Sequence, residues 1–211
     1  MVICDEYKLL FLSKPKCFST SVRHALKPFG HVVWQKEDRL HPHMCAKEVR
    51  DFFAETGRDF DSYEKIATAR EPESLLRSFF NWARCDTQNR YYWMKGWDGS
   101  CLMSFPEWFW NGKIYDRKTK SWTSDKSVSS VYNFCEVDGK IGVNKIYHGE
   151  NLSQLADHLS SILGNSVVIP HKNTGPKTDD REKDSFFSAE IRSRIKRDFW
   201  YEYEVLGLQG L

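Results

Sequence analysis

Lys16, Ser19, Thr20 and Ser21 gather a cation and three hydroxyls into LFLSKPKCFSTSVRHAL, residues 10 to 26. Those groups at that spacing can surround a phosphate or a sulfate. Lys8 to Ser13 is a short apolar run bounded by polar residues, long enough for a buried strand. Lys14 to Phe18 break the run, and Ser19 to Leu26 can begin a helix. A helix start leaves backbone N–H groups unpaired and carries partial positive charge, so strand, loop and helix in this order form an anion loop. Taken alone, the same residues also fit a plain helix start in which Thr20 or Ser21 is the N-cap and the lysines are solvated. The glycine pattern of a nucleotide-kinase phosphate loop, or of a dinucleotide fold, is absent.

Two further groups carry chemistry. In KIATAREPESLLRSFFNWAR, Arg70 ends a short strand at Ile66 to Ala69, and Ser78 follows eight residues later on a helix that Pro72 can open. Leu75, Leu76, Phe79, Phe80 and Ala83 form the apolar face of that helix, and Ser78 lies off it. A guanidinium fork and a hydroxyl suit one phosphate, because guanidinium binds it bidentately and keeps its charge. His41 and His43 precede a helix expected from Ala46 to Phe53, after a short strand at His31 to Gln35. With Cys45 they alternate as H-x-H-x-C, which lacks a further metal ligand. A half-buried structural histidine or a helix cap is the alternative for either one.

Residues 85 to 135 change character, crowding Tyr91, Tyr92, Trp93, Trp97, Trp108, Phe109 and Trp110 among Gly, Ser, Lys and Asp. Most of these rings must be core, and the remainder can line an acceptor site. Ser104 and Glu107 predict a capping box before a short helix. Asp138-Gly139 predicts a two-residue hairpin turn, and Leu152 to Leu163 an amphipathic helix ending at Gly164. PHKNTGPKTDDREKD reads as a surface loop before a helix capped by Ser188, with Ile191, Ile195 and Phe199 on one face.

The 211 residues, 40% hydrophobic and 15% aromatic, suit a single domain with a sizeable core, the aromatic-rich stretch at about 85–135 being an excursion from it. A net charge of +2, from 31 basic and 29 acidic residues, gives no overall field of the kind nucleic-acid binders show. The six cysteines contain no C-x-x-C pair and read as free thiols in a reducing compartment. No apolar stretch reaches the roughly 18 residues of a membrane span, and Met1 to Leu12 does not read as a secretory signal. The expectation is a cytoplasmic protein.

Pro15, Lys16, Ser19, Thr20 and Ser21 fall on the pattern of the 5′-phosphosulfate loop of sulfotransferases that use 3′-phosphoadenosine 5′-phosphosulfate (PAPS). The chain resembles the carbohydrate-type members of Golgi and bacterial origin, including the uronyl 2-O-sulfotransferases. Cys17 and Phe18 stand where smaller residues are common in that family. Arg-x-Pro at 70–72 with Ser78 is similar to the family's 3′-phosphate motif, and KIYHGENL at 145–152 to its third block. The likeness covers roughly residues 7 to 84 and 141 to 208.

The resemblance implies an α/β fold, a P-loop-like three-layer domain with a central, mostly parallel sheet flanked by helices. It implies sulfuryl transfer from PAPS to a hydroxyl, on a carbohydrate, leaving 3′,5′-bisphosphoadenosine. Residues 17 to 21 and Lys16 would hold the 5′-phosphosulfate, Arg70 and Ser78 the 3′-phosphate, and Lys172 or Lys177 would touch the nucleotide. Lys16 would neutralise charge on the departing oxygen. His43, with His41 second, would be the general base, since its place beside the helix start disfavours its cation. Trp93 and Trp97 are first choices for stacking on the acceptor. The scheme calls for no metal. Two rivals stay open: a nucleotide-binding module of this fold without catalysis, and a P-loop-type small-molecule kinase.

Overall fold

The computed structural model describes residues 1–85, 104–111, 130–149, 152–170 and 186–208. In chain order the elements are β1 (Val2–Cys4), β2 (Leu9–Leu12), α1 (Ser19–Leu26), β3 (His31–Val32), α2 (Ala46–Glu55), a 3-10 turn at Phe60–Ser62, β4 (Glu64–Ala69), α3 (Pro72–Cys85) and α4 (Phe105–Asn111). There follow α5 (Val131–Cys135), β5 (Glu136–Val137), β6 (Lys140–Ile141), β7 (Lys145–His148), α6 (Leu152–Leu163), α7 (Ala189–Asp198) and α8 (Trp200–Glu204). Two compact units result. One is Met1–Arg70 with Val131–Asn173, the other Glu71–Ser130 with Thr174–Leu211.

In the first unit a five-stranded sheet runs in the order β3-β1-β2-β4-β7. All four residues of β2 are buried, which requires cover on both faces of the sheet. Side chains alternate along a strand, so Leu9 and Phe11 share one face. They meet Val22 and Leu26 of α1 and Leu155, Leu159 and Leu163 of α6, each set spaced four apart as one helix stripe. Burying a side chain of this size stabilises the fold by about 1.5–3 kcal/mol. The stripes therefore fix both helices against β2, Ile66 of β4 and Tyr147 of β7.

The sheet is α/β but mixed. β2 pairs parallel to β4, and β4 parallel to β7, whereas β1 runs antiparallel to both β2 and β3. The expectation of a mostly parallel sheet thus holds for β2, β4 and β7 and fails at β1. The three apolar residues of β1 are too short a run to announce a strand. They form one because the tight turn that follows, with Lys8 N–H donating to the Asp5 carbonyl at 3.4 Å, folds β2 back onto them. The second strand is also shorter than expected, ending at Val32.

Parallel pairing in register brings the carboxyl ends of β2, β4 and β7 to one edge, Leu12 beside Ala67 and Ala69 beside His148. In open α/β sheets ligands bind at such an edge. β5 and β6 form the predicted hairpin, with Asp138 at φ 51° and Gly139 at φ 80°, the two positive values a type I′ turn requires.

The second unit is built on α3, α4, α7 and α8. Pro72 opens α3, and the Glu71 carboxylate caps it by accepting the Glu73 N–H at 2.8 Å and the Ser74 N–H at 2.6 Å. Glu107 accepts the Ser104 N–H at 2.8 Å, closing the capping box at the start of α4. Phe105 then stacks on Phe186 at 5.1 Å and meets Trp108 at 5.4 Å, while Trp110 stays exposed. Ser188 caps α7 through the Ile191 N–H. Among the described residues no helix is long and apolar enough to cross a membrane. Cys4, Cys17, Cys45 and Cys135 are buried.

Candidate anion loop and histidine pair

The loop after β2 has a definite shape. The Lys14 carbonyl accepts the Cys17 N–H at 3.4 Å, with Pro15 and Lys16 between them. Proline presets the first central position of such a turn, and Lys16 at φ 60° supplies the positive φ that a type II turn needs at the second. Phe18, also at φ 60°, is the N-cap of α1 and provides no side-chain hydrogen bond. Neither Thr20 nor Ser21 is the cap, because the helix already begins at Ser19.

Lys16 and Phe18, both at φ 60°, stand on either side of Cys17 in the left-handed conformation that glycine adopts most easily. Here Lys and Phe adopt it, each held at a cost of about 1–2 kcal/mol. The surroundings must therefore impose it. Thr68 Oγ1, in β4, donates to the Cys17 carbonyl, and Arg70 Nη1 donates to the Lys16 carbonyl at 3.4 Å. The Arg70 guanidinium also lies 5.5 Å from the centre of the Phe18 ring. On the other side, a Cβ at Gly149 would fall 1.8 Å from Phe18 Cε2, so only glycine there leaves room for the ring. Burial, and then the Arg70 guanidinium, hold the Lys16 ammonium below the usual lysine range.

The histidine segment is tied to the same loop. His43 Nδ1 lies 2.6 Å from the Ser13 carbonyl. A carbonyl cannot donate, so Nδ1 carries the proton and Nε2 of neutral His43 is left as an acceptor. The His43 N–H donates to His41 Nδ1 at 3.1 Å, which gives neutral His41 the opposite tautomer, with its proton on Nε2. The Met1 amine donates to the Pro42 carbonyl at 2.8 Å and anchors the residue between them.

Burial pushes the His43 pKa down from 6.5 to about 4, helped by Arg23, the Met1 amine and His41 and opposed by the Ser13 bond. The sequence-based reason, a neighbouring helix start, is not the cause. Cys45 occupies the N-cap of α2, and Glu48 reaches back to its N–H at 2.9 Å. Arg23 in turn braces the region, Nε donating to the Ser19 carbonyl and Nη1 to the Val33 carbonyl, each at 3.3 Å.

The first unit thus brings together Lys16, Cys17, Phe18, Ser19, Thr20, Ser21, Arg70 and His43. Ser78 is half-buried on α3 of the second unit. Lys172, Lys177, Trp93 and Trp97 lie outside the described residues. Among the described residues, no group of three or more His, Cys, Asp and Glu side chains is placed to hold a metal ion. Thr68 and Gly149 escaped the sequence reading. The signal for Thr68 was its place two before Arg70, in the last residues of the strand that leads to it.

No family model, curated protein or solved structure matches the chain.

Proposed function

We propose that the chain is a sulfotransferase of P-loop-like, three-layer α/β architecture that moves a sulfuryl group from PAPS to a hydroxyl of a carbohydrate acceptor. One observation carries this reading. A loop with Lys16 and Phe18 at positive φ opens from Ser13, whose carbonyl fixes a half-buried His43 in the tautomer able to accept a proton. The donor set is cationic and rich in N–H and hydroxyl groups, which fits a phosphosulfate.

PAPS, when bound, supplies the sulfuryl group. The acceptor oxygen then forms a bond to sulfur as the bond from sulfur to the 5′-phosphate oxygen breaks. His43 Nε2 takes the proton of the attacking hydroxyl. Lys16 places its charge against the departing oxygen, and N–H and hydroxyl groups of residues 18 to 21 hold the phosphate, the Cys17 N–H being given to the Lys14 carbonyl. By the family resemblance, Arg70 and Ser78 would each serve the 3′-phosphate and Lys172 would touch the nucleotide. As in phosphoryl transfer, positioning and charge stabilisation do most of the work.

The test compares thermal stabilisation by 3′,5′-bisphosphoadenosine, 5′-AMP and ATP, followed by an acceptor screen with labelled donor. A ligand at about 100 times its dissociation constant adds roughly 2.7 kcal/mol. A clear preference for the 3′-phosphate is expected, and equal or greater stabilisation by ATP overturns the reading. Lys16→Ala should lower turnover far more than affinity for the product nucleotide. Nucleotide preference without turnover on any acceptor would favour a binding module, and magnesium-dependent phosphoryl transfer from ATP would favour a kinase.

A further inference from the structure

Lys14 and Ser13 open the loop just described, and neither was assigned a task by its sequence. Both side chains are completely buried. Lys14 Nζ and Ser13 Oγ have no hydrogen-bond partner among the described residues. This is unusual chemistry. Buried polar atoms are nearly always paired, and a buried ammonium without a counter-charge is among the most destabilising arrangements a fold can contain. Lys65, also buried, shows the ordinary solution, its Nζ donating to the carbonyls of Phe60 at 3.2 Å and Tyr63 at 2.9 Å. Lys14 has no such bonds.

Backbone hydrogen bonds tie these two residues to the site. The Ser13 carbonyl holds His43, and the Lys14 carbonyl closes the turn through Lys16. We propose that Lys14 Nζ and Ser13 Oγ form an anion subsite, a second cation and a hydroxyl that take an oxygen of a ligand with two linked tetrahedral anionic centres. Lys16 takes the neighbouring centre. A phosphosulfate has that chemistry, and inorganic pyrophosphate reproduces it without nucleotide or acceptor. The inference rests on the anion-loop reading made above, and gives the orphaned pair the partner that the described residues do not supply.

Pyrophosphate binding is measured by calorimetry and thermal shift for the wild-type chain, Lys14→Met and Ser13→Ala, with 3′,5′-bisphosphoadenosine in parallel. Methionine keeps the length of the side chain and removes its charge. Lys14→Met should melt higher than wild type without ligand, because an unpaired buried charge is gone, and should bind pyrophosphate about ten- to a hundredfold more weakly. Ser13→Ala should weaken pyrophosphate binding several-fold, which supplies the test if Lys14→Met does not fold. Unchanged pyrophosphate affinity in the folded variants overturns the subsite, as does a wild-type chain that binds no pyrophosphate. If wild type prefers 3′,5′-bisphosphoadenosine over ATP and Lys14→Met keeps all its affinity for pyrophosphate, the subsite falls while the sulfotransferase reading stands. If pyrophosphate binding depends on Lys14 but 3′,5′-bisphosphoadenosine gives no advantage, the subsite stands and that reading falls.

Discussion

The ring of Phe18 occupies the space that any side chain at residue 149 would need, 1.8 Å from the place of a Cβ. A bulky residue in the left-handed N-cap of α1 is thereby accommodated by a glycine just beyond the end of β7. Gly149→Ala should push the ring out and cost about 1–3 kcal/mol in denaturant unfolding, the usual range for overpacking. Phe18→Ala in the same chain should recover most of that loss. Additive effects of the two substitutions would show that the contact is not the cause.

Opposite tautomers give the two histidines unequal roles. His43→Ala should lower turnover by about 10²–10⁴ and leave product-nucleotide affinity nearly intact, since Nε2 is the acceptor. His41→Ala should be milder, because His41 Nδ1 accepts the His43 N–H and acts through orientation. On the proposed sulfuryl transfer, the acidic limb of kcat/KM, which reports the unliganded state, should lie near pH 4. In kcat it should move upward, because bound anionic ligand favours the imidazolium. A larger loss with His41→Ala would reverse the assignment.

The depressed His43 pKa also sets a stability profile. Between about pH 4 and 6.5 the unfolded chain holds more protons at this residue than the folded one, so stability rises with pH across that window. The contribution is complete above 6.5 and is lost as pH falls toward 4, an effect on the order of 3 kcal/mol. His43→Gln should flatten this part of the curve. Chemical denaturation of both proteins at pH 4.5 and 7.5, values chosen at about the two ends of the window, measures the difference. Parallel pH dependence in the two proteins would place the proton uptake elsewhere.

Thr68 near the end of β4 and Arg70 just beyond it both reach the loop, and the effects of losing them should separate. Thr68→Val leaves the Cys17 carbonyl without its hydroxyl donor and should cost about 1–3 kcal/mol of unfolding free energy, with nucleotide preference kept. Arg70→Ala should instead reduce the preference for 3′,5′-bisphosphoadenosine over 5′-AMP by about tenfold or more. Equal loss of both properties in both variants would make Arg70 a loop brace alone.

What the sequence determined by itself lies within a few residues of its signal. Pro72 opening α3, the Asp138-Gly139 turn, the Ser104 to Glu107 box and the Ser188 cap each depend on bonds that close inside one helical turn or hairpin. The stop of α6 at Gly164, φ 64°, is equally local. The pairing of β1, the left-handed Phe18 and the tautomer of His43 were settled at longer range. Their determinants are β2 folding back, Gly149 beneath the ring, and the Ser13 carbonyl thirty residues away in the chain. A propensity or a cap is a property of neighbouring residues, readable one window at a time. Which carbonyl meets an imidazole, or which glycine yields to a ring, follows from sheet register. Register brings together residues whose separation in the chain carries no local signal.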